Sequence, residues 1–599
     1  MCGVTAIFAY GQDAPPVDAA ELARISRAMA ARGPDGAGQW LSSDKRVGFA
    51  HRRLAIIDVP YGAQPMHLNG SVQASDEDTV ISFNGEIYNY QALRDELIAA
   101  GYPVKYHSDT EVLLHLYKRH GRAMVEKLRG VYAFAIWDGK RRGMLVARDH
   151  LGNKQLYISD DGRTLRVASQ VKALLAGGRV DTSPEPAGHV GFFLWGHLPE
   201  PYTLFRGIRA VPAGTTIWID GQGRAERPYY SLASELAAAR PGPVDLHAAL
   251  LESVRFHLVA DVPVGSFLSA GRDSTAITAL ATEAHGTDLR TITLGFDTFR
   301  GGPLDETPLA EEVARTLGTR HETYWVGRRG FESAHDDLLR AMDQPTVDGV
   351  NTYFVARVAR EAGMKVALSG LGGDELFAGY VSFRQIPRLV GALGPLRGVA
   401  PLGKLMRIVS APFLRHMTSP KYASLLEYGA TYPGAYLLRR ALFMPWELPE
   451  LLDGEMVREG WRALDALKPI EAAIEGVEGS RLKVMAMEIA SEVRNRLFRD
   501  GDWAGMAHSI EIRTPFADVT LLRQLLPAIV GPNPPTKESL PRATSRKLPA
   551  AIYGRPKTGF VAPVAEWILG GNIPSGERGL RSWARYVHDA CYRVGARAA

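Results

Sequence analysis

Cysteine is nearly absent from this 599-residue chain: two residues, Cys2 and Cys591, stand at its opposite ends. A disulfide framework and an all-cysteine metal site are therefore excluded. No apolar run approaches the roughly 20 uncharged residues that a spanning helix needs. The most membrane-like stretch, Ile386 to Met417, is broken by Arg388, Arg397, Lys404 and Arg407. The start, MCGVTAIFAYGQDAPP, has no basic n-region and too short an apolar stretch for a signal peptide. An excess of one charge is missing too. The chain has 70 Lys and Arg against 65 Asp and Glu, leaving +5, a weak field over this length. These absences predict a soluble, cytoplasmic protein that meets neither membrane nor nucleic acid.

What is present is an ordinary globular composition, 46% hydrophobic and 23% charged, at a length that implies two or more domains. The first 230 residues hold short β-rich runs (RVGFAHRRLAIID, DTVISFNGEIYN, GVYAFAIWDG, GMLVARD, TTIWIDGQG) with helical stretches between them. This is an α+β pattern. SELAAARPGP near 233–243 has the composition of a linker. Beyond it, apolar strands alternate with helices: VGSFLS, TITLGF, HETYWV and KVALSG are the strands. That alternation predicts a doubly wound parallel sheet, with ligands at the carboxyl ends of its strands. Residues 380–540 read as mostly helical.

Cys2 follows the initiator Met directly. Met removal would leave an α-amine beside a thiol, and an amine with a pKa of about 7.7–8.0 can accept the thiol proton. Downstream come RGPDG (Arg32–Gly36), HRRLAIID (His51–Asp58), FNGEIYN (Phe83–Asn89) and SDTE (Ser108–Glu111). With these segments in this order, the sequence resembles the class II glutamine amidotransferases. The resemblance implies a nucleophile at Cys2 that attacks the side-chain amide of glutamine and releases ammonia. It implies an oxyanion hole of Asn84 and Gly85. Arg53 and Asp109 would grip the carboxylate and ammonium of glutamine, with Glu86 also in the glutamine site.

FLSAGRDST (Phe267–Thr275) sits where the first strand of the second region meets a helix, a turn suited to an anion. No GxxxxGK[ST] is present. The segment instead resembles the pyrophosphate-binding SGGxDS signature of ATP pyrophosphatases, with Ala270 in place of the first glycine. Alanine is expected to be tolerated there if its φ is negative. LSGLGGDELFAGY (Leu368–Tyr380) resembles the second signature of the asparagine synthetases, and Asn495–Asp518 and GRPKTGF (Gly554–Phe560) resemble late segments of that family. The resemblance runs from Cys2 to about Trp567.

It implies an N-terminal-nucleophile sandwich followed by a Rossmann-like ATP-pyrophosphatase sheet with helical additions. The expected bounds are 2–215 for the glutaminase, 216–245 for a linker and 246–599 for the synthetase. It further implies ATP bound by Leu268, Ser269, Gly271, Asp273, Ser274, Leu294, Ser369 and Gly370, and Mg²⁺ on Asp273 and Asp374. Lys557 would stabilise charge on the α-phosphoryl group. The implied reaction makes asparagine, AMP and pyrophosphate from aspartate, ATP and glutamine, and the assembly can be a homodimer.

Two positions and one region depart from the family pattern. Leu371 stands where the family carries a glutamate that serves as base, Gln155 where it often has proline, and 381–481 holds little that is recognisable. Leu371 keeps a different carboxylate acceptor (peptide, sugar or secondary metabolite) open. A non-catalytic relative would show eroded nucleophile or metal positions, and the sequence shows none.

Overall fold

The computed structural model describes residues 2–68, 77–417, 420–555, 563, 567 and 579–598. Two antiparallel sheets come first. Their strands are β1 (Gly3–Ala9), β2 (Gly36–Leu41), β3 (Val47–Arg53), β4 (Met66–His67), β5 (Thr79–Ile87) and β6 (Gly130–Asp138). They continue with β7 (Gly143–Arg148), β8 (Tyr157–Asp160), β9 (Thr164–Ala168), β10 (Arg209–Ala210), β11 (Thr215–Asp220) and β12 (Gly223–Pro228). One sheet has the order β10-β8-β9-β1-β3-β2 and the other β12-β11-β7-β6-β5-β4.

The two-residue period of a strand explains how these sheets stack. Val4, Ala6 and Phe8 of β1 meet Ala133, Ala135 and Trp137 of β6 in the core between the sheets. The intervening Ile7 and Ala9 turn the other way, onto Leu22 and Ile25 of the helix Ala19–Ala28. On β6, Tyr132, Phe134 and Ile136 likewise cluster with Leu113 and Leu116 of the helix Asp109–His120. The result is a four-layer helix–sheet–sheet–helix sandwich, as expected from the sequence.

The third sheet is wholly parallel, in the order β15-β14-β13-β16-β17. These strands are β13 (Val264–Phe267), β14 (Arg290–Phe296), β15 (Arg320–Val326), β16 (Val366–Leu368) and β17 (Glu511–Arg513). Strand order reverses between β13 and β16, which makes their carboxyl ends the topological switch point. Both signature turns leave from there: Leu268–Gly271 after β13 and Ser369–Gly372 after β16.

One expectation is corrected. Residues 216–228, assigned to a linker, form most of β11 and all of β12 and complete the second sheet. The alternation of TTIWID buries Ile217 and Ile219 between the sheets, which a solvent-exposed linker would not do. The helix Leu232–Ala237 follows. One apolar cluster joins the halves: Leu54, Ile56 and Phe83 pack in the same core as Val264, Leu368 and Phe516. No helix among the described residues is long and apolar enough to cross a membrane.

Candidate active sites

Cys2 lies buried between β5 and the segment after β3. Its N–H donates to Asn84 Oδ1 at 2.6 Å, and its Sγ sits 3.9 Å from the Leu54 carbonyl. Burial pushes the thiol above its ordinary value. With Oδ1 of Asn84 so occupied, Nδ2 is buried with no hydrogen-bond partner among the described residues. Gly85 has φ +147°, and a Cβ there would lie 2.1 Å from the Val131 carbonyl oxygen. The position therefore needs glycine.

Arg53 ends β3 and donates to the carbonyls of Asp58 (2.7 Å), Val59 (2.8 Å) and Ile57 (3.2 Å). Three carbonyls fix its plane, and its charge reaches the Cys2 thiol. Asp109 opens the helix that Ser108 caps, and accepts the Ile87 N–H at 3.2 Å. Burial pushes its carboxyl up to about 7, against the stabilising bonds from Ile87 and Thr110. Among the described residues no cation pairs with this carboxylate. Glu86 lies on the same face of β5 as Asn84, but its carboxylate turns to Arg513 of β17, 3.5 Å away. Burial, and then Glu511, push Glu86 well above the carboxylate range in spite of Arg513.

At the switch point, the turn after β13 feeds the helix Arg272–His285, whose N-terminus no side chain caps. Its first N–H groups are left for an anion. The Ser269 N–H donates to Ser274 Oγ at 3.2 Å, and the two hydroxyls lie 3.1 Å apart. Ala270 does not meet the expected condition. Its φ is +51° and it is fully buried. Left-handed backbone costs a non-glycine residue about 1–2 kcal/mol, so this turn is held under strain by its surroundings.

The turn after β16 presses onto the first one. A Cβ on Gly370 would lie 2.7 Å from the Asp273 Cβ. A cavity of about 940 Å³ covers both turns. Leu268, Ser269, Gly271, Asp273 and Ser274 line it from the first turn. Leu294, Ser369, Gly370 and Asp374 complete the wall, so every residue expected at the nucleotide and metal positions faces one space. Lys557 lies outside the described residues.

Sequence reasoning missed the lysine that the structure does put there. Lys537 bonds to both carboxylate oxygens of Asp273 and pairs with Asp374 at 3.0 Å. Two carboxylates thus share one cation. Sequence reasoning also missed Asp348 and Asp500, which line the same cavity as Leu371. Asp500 accepts from Thr346 Oγ1 (3.1 Å) and Trp503 Nε1 (2.9 Å). Burial, with Asp348 beside it, pushes the Asp500 carboxyl up to about 7. The last omission was Arg32, quoted only as part of RGPDG. Its Nε donates to the Cys2 carbonyl at 2.9 Å while Nη1 and Nη2 grip Asp502 at 2.6 and 2.9 Å.

The sequence profile of the asparagine synthase family matches residues 245–583, more than half of the chain. The chain belongs to that family. A glutamine amidotransferase domain profile matches residues 1–230. A Mycobacterium tuberculosis H37Rv protein is 34% identical over 600 residues, which span 96% of this chain and 89% of its own. Asparagine synthetase [glutamine-hydrolyzing] 1 of Bacillus subtilis is 31% identical over 579 residues, 95% of this chain and 88% of that one. Asparagine synthetase B [glutamine-hydrolyzing] of Escherichia coli is 33% identical over 409 residues, 65% of this chain and 66% of that one. As a member of the family, the chain is a glutamine-dependent ligase, and its two regions meet in the fold described above.

Proposed function

We propose that this enzyme hydrolyses glutamine at Cys2 and uses the ammonia to convert an ATP-activated carboxylate into an amide, with aspartate the leading acceptor. The observation that carries the glutaminase reading is the buried Asn84 Nδ2, a donor without a partner beside the nucleophile. An oxyanion developing on the glutamine amide would take it, together with the Gly85 N–H. Once Met1 is removed, the amine of Cys2 becomes free to accept the thiol proton, with Asn84 Oδ1 orienting it. Arg53 would meet the glutamine carboxylate and Asp109 its ammonium. Glu86, engaged with Arg513, would contribute through its main chain.

In the second region, the uncapped helix N-terminus and the Ser269 and Ser274 hydroxyls would receive the phosphates of ATP. Asp273 and Asp374 already share the charge of Lys537, which supports a cation at that point. Two carboxylates plus substrate phosphates suit Mg²⁺, which keeps several waters and needs no all-protein cage. Magnesium would neutralise phosphate charge during adenylation. Lys537, displaced from the carboxylates, would be free to turn to the phosphoryl oxygens, and Lys557 is proposed for the same charge.

Leu371 favours a second reading, in which the acceptor is a carboxylate other than aspartate. With a leucine where the family carries a base, proton removal would fall to the Asp500 and Asp348 pair across the cavity. The deciding experiment measures pyrophosphate release from ATP with glutamine present, screened over aspartate and other carboxylic acids. Stimulation by aspartate supports the first reading. Release with another acid alone supports the second, and release with none sinks both.

A further inference from the structure

The helix Ala400–Met417 is turned the wrong way round for a helix in water. Over residues 402–410, its inner face is small or charged. Gly403 lies so close to the neighbouring segment that a Cβ would approach the Glu427 nitrogen to 2.6 Å. One turn on, Arg407 pairs with Glu427 at 2.8 Å and covers the Trp446 ring. Over the same residues its outer face is apolar. Leu402, Leu405, Met406 and Val409 follow the i, i+3, i+4, i+7 spacing of a single face, with Ile408 beside them. All five are more than half exposed. Leu396 and Tyr422, also exposed, extend the patch at its two ends. A contiguous apolar surface of this kind marks an interaction site.

Charge says which kind. Between Glu375 and Glu427 the chain has no Asp or Glu at all, but seven Lys and Arg. Elsewhere the two signs nearly balance. Arg388, Arg397 and Lys404 are exposed around the apolar face. An apolar stripe rimmed by cations, with Glu427 taken up by Arg407 on the inner face, fits the boundary of an anionic lipid bilayer, where the stripe enters the acyl region and the cations meet headgroups.

We propose that this face docks the enzyme onto anionic membrane surfaces. The expectation of no membrane contact rested on the lack of a spanning segment, and a helix lying in the interface needs none. Placement adds a consequence. The helix Ser382–Leu393, which leads into the patch, begins with Phe383 and Arg384 on the rim of the synthetase cavity. Docking would set the mouth of that cavity close to the lipid surface.

The test is co-sedimentation of the full-length protein with phosphatidylcholine vesicles, with and without phosphatidylserine. Wild type is expected to pellet at least about tenfold more on the anionic vesicles, and to be released at roughly 0.5 M salt, where charges are screened beyond about 4 Å. Leu405→Glu/Val409→Glu should abolish pelleting, and Arg388→Gln/Arg397→Gln/Lys404→Gln should weaken binding about a hundredfold. Glutaminase turnover in solution should be unchanged in both variants, which reports that they fold. Equal pelleting on the two vesicle types would overturn the proposal. So would wild-type binding by the Leu405→Glu/Val409→Glu variant, or a dimer in light scattering that this variant breaks while vesicles capture neither form.

Discussion

Arg32 and Asp502 stand 470 positions apart and meet in a buried two-pronged ion pair. The same guanidinium holds the carbonyl of Cys2. The main chain of Cys2, the proposed nucleophile, is thus tied to the synthetase half through one side chain. Removing one partner of a buried pair costs about 3–5 kcal/mol, because the other charge is stranded. Arg32→Met should therefore lower the melting temperature by several degrees and impair glutamine use. Arg32→Met/Asp502→Leu removes both charges and should recover much of the stability. Glutamine-dependent synthesis should stay low in the double variant while ammonia-dependent synthesis returns. Thermal unfolding and the ratio of the two activities check this, and recovery of both activities together would sink the positioning role.

Asp109 gives the glutaminase a pH signature. Its carboxyl titrates at about 7 in the free enzyme because burial disfavours the charge. Below that pH it is protonated and cannot hold an ammonium group. The KM for glutamine should rise as pH falls through 7, toward tenfold per pH unit, in addition to the fall in kcat that protonation of the Cys2 amine brings. Asp109→Asn should raise KM at neutral pH and flatten its pH profile. Steady-state kinetics from pH 5.5 to about 8.5 measure both.

Lys537 is predicted to matter twice. Lys537→Met should reduce pyrophosphate release by about 10²–10³-fold while leaving glutaminase activity intact. It should also remove the ammonium that Lys537 supplies to Asp273 and Asp374. Magnesium should then raise the melting temperature of the variant more than that of wild type. Equal magnesium shifts would argue that the two carboxylates do not share a metal.

Asp500 predicts a pH limb in the synthetase reaction. Above about pH 7 it is ionised and able to take a proton. Amide formation from ammonia should rise with pH through that point. Asp500→Asn should remove the limb and lower kcat/KM for the acceptor by at least about tenfold, with ATP binding retained. A limb that survives the substitution would assign the proton transfer elsewhere.

The sheets were legible because period-two alternation and Gly-rich turns are local signals, and the two signature turns landed side by side as expected. Residues 216–228 were misplaced because a hairpin at the edge of a sheet and a polar linker share their glycines and charges. Asp502 could not be tied to Arg32 from sequence, since nothing local links positions so far apart. Lys537 sits in PPTKES, a loop with no motif, and only the fold carries it to Asp273. Ala270 shows a different limit: a residue name does not reveal the sign of its φ. Cys591, unassigned on sequence, has burial pushing its thiol up to about 12, which marks it as inert.

Strand β17 has a further consequence. Ile512 faces the synthetase cavity, while Glu511 and Arg513 on either side of it face away, where Arg513 reaches Glu86. One three-residue strand thus stands between the cavity on one side and Glu86, of the proposed glutamine site, on the other. Inserting or deleting a single residue there would turn a guanidinium into the cavity and an isoleucine against Glu86, spoiling both proposed sites at once. The two half-reactions are thus locked to a common frame, and this partition can change only by substitutions that keep its parity.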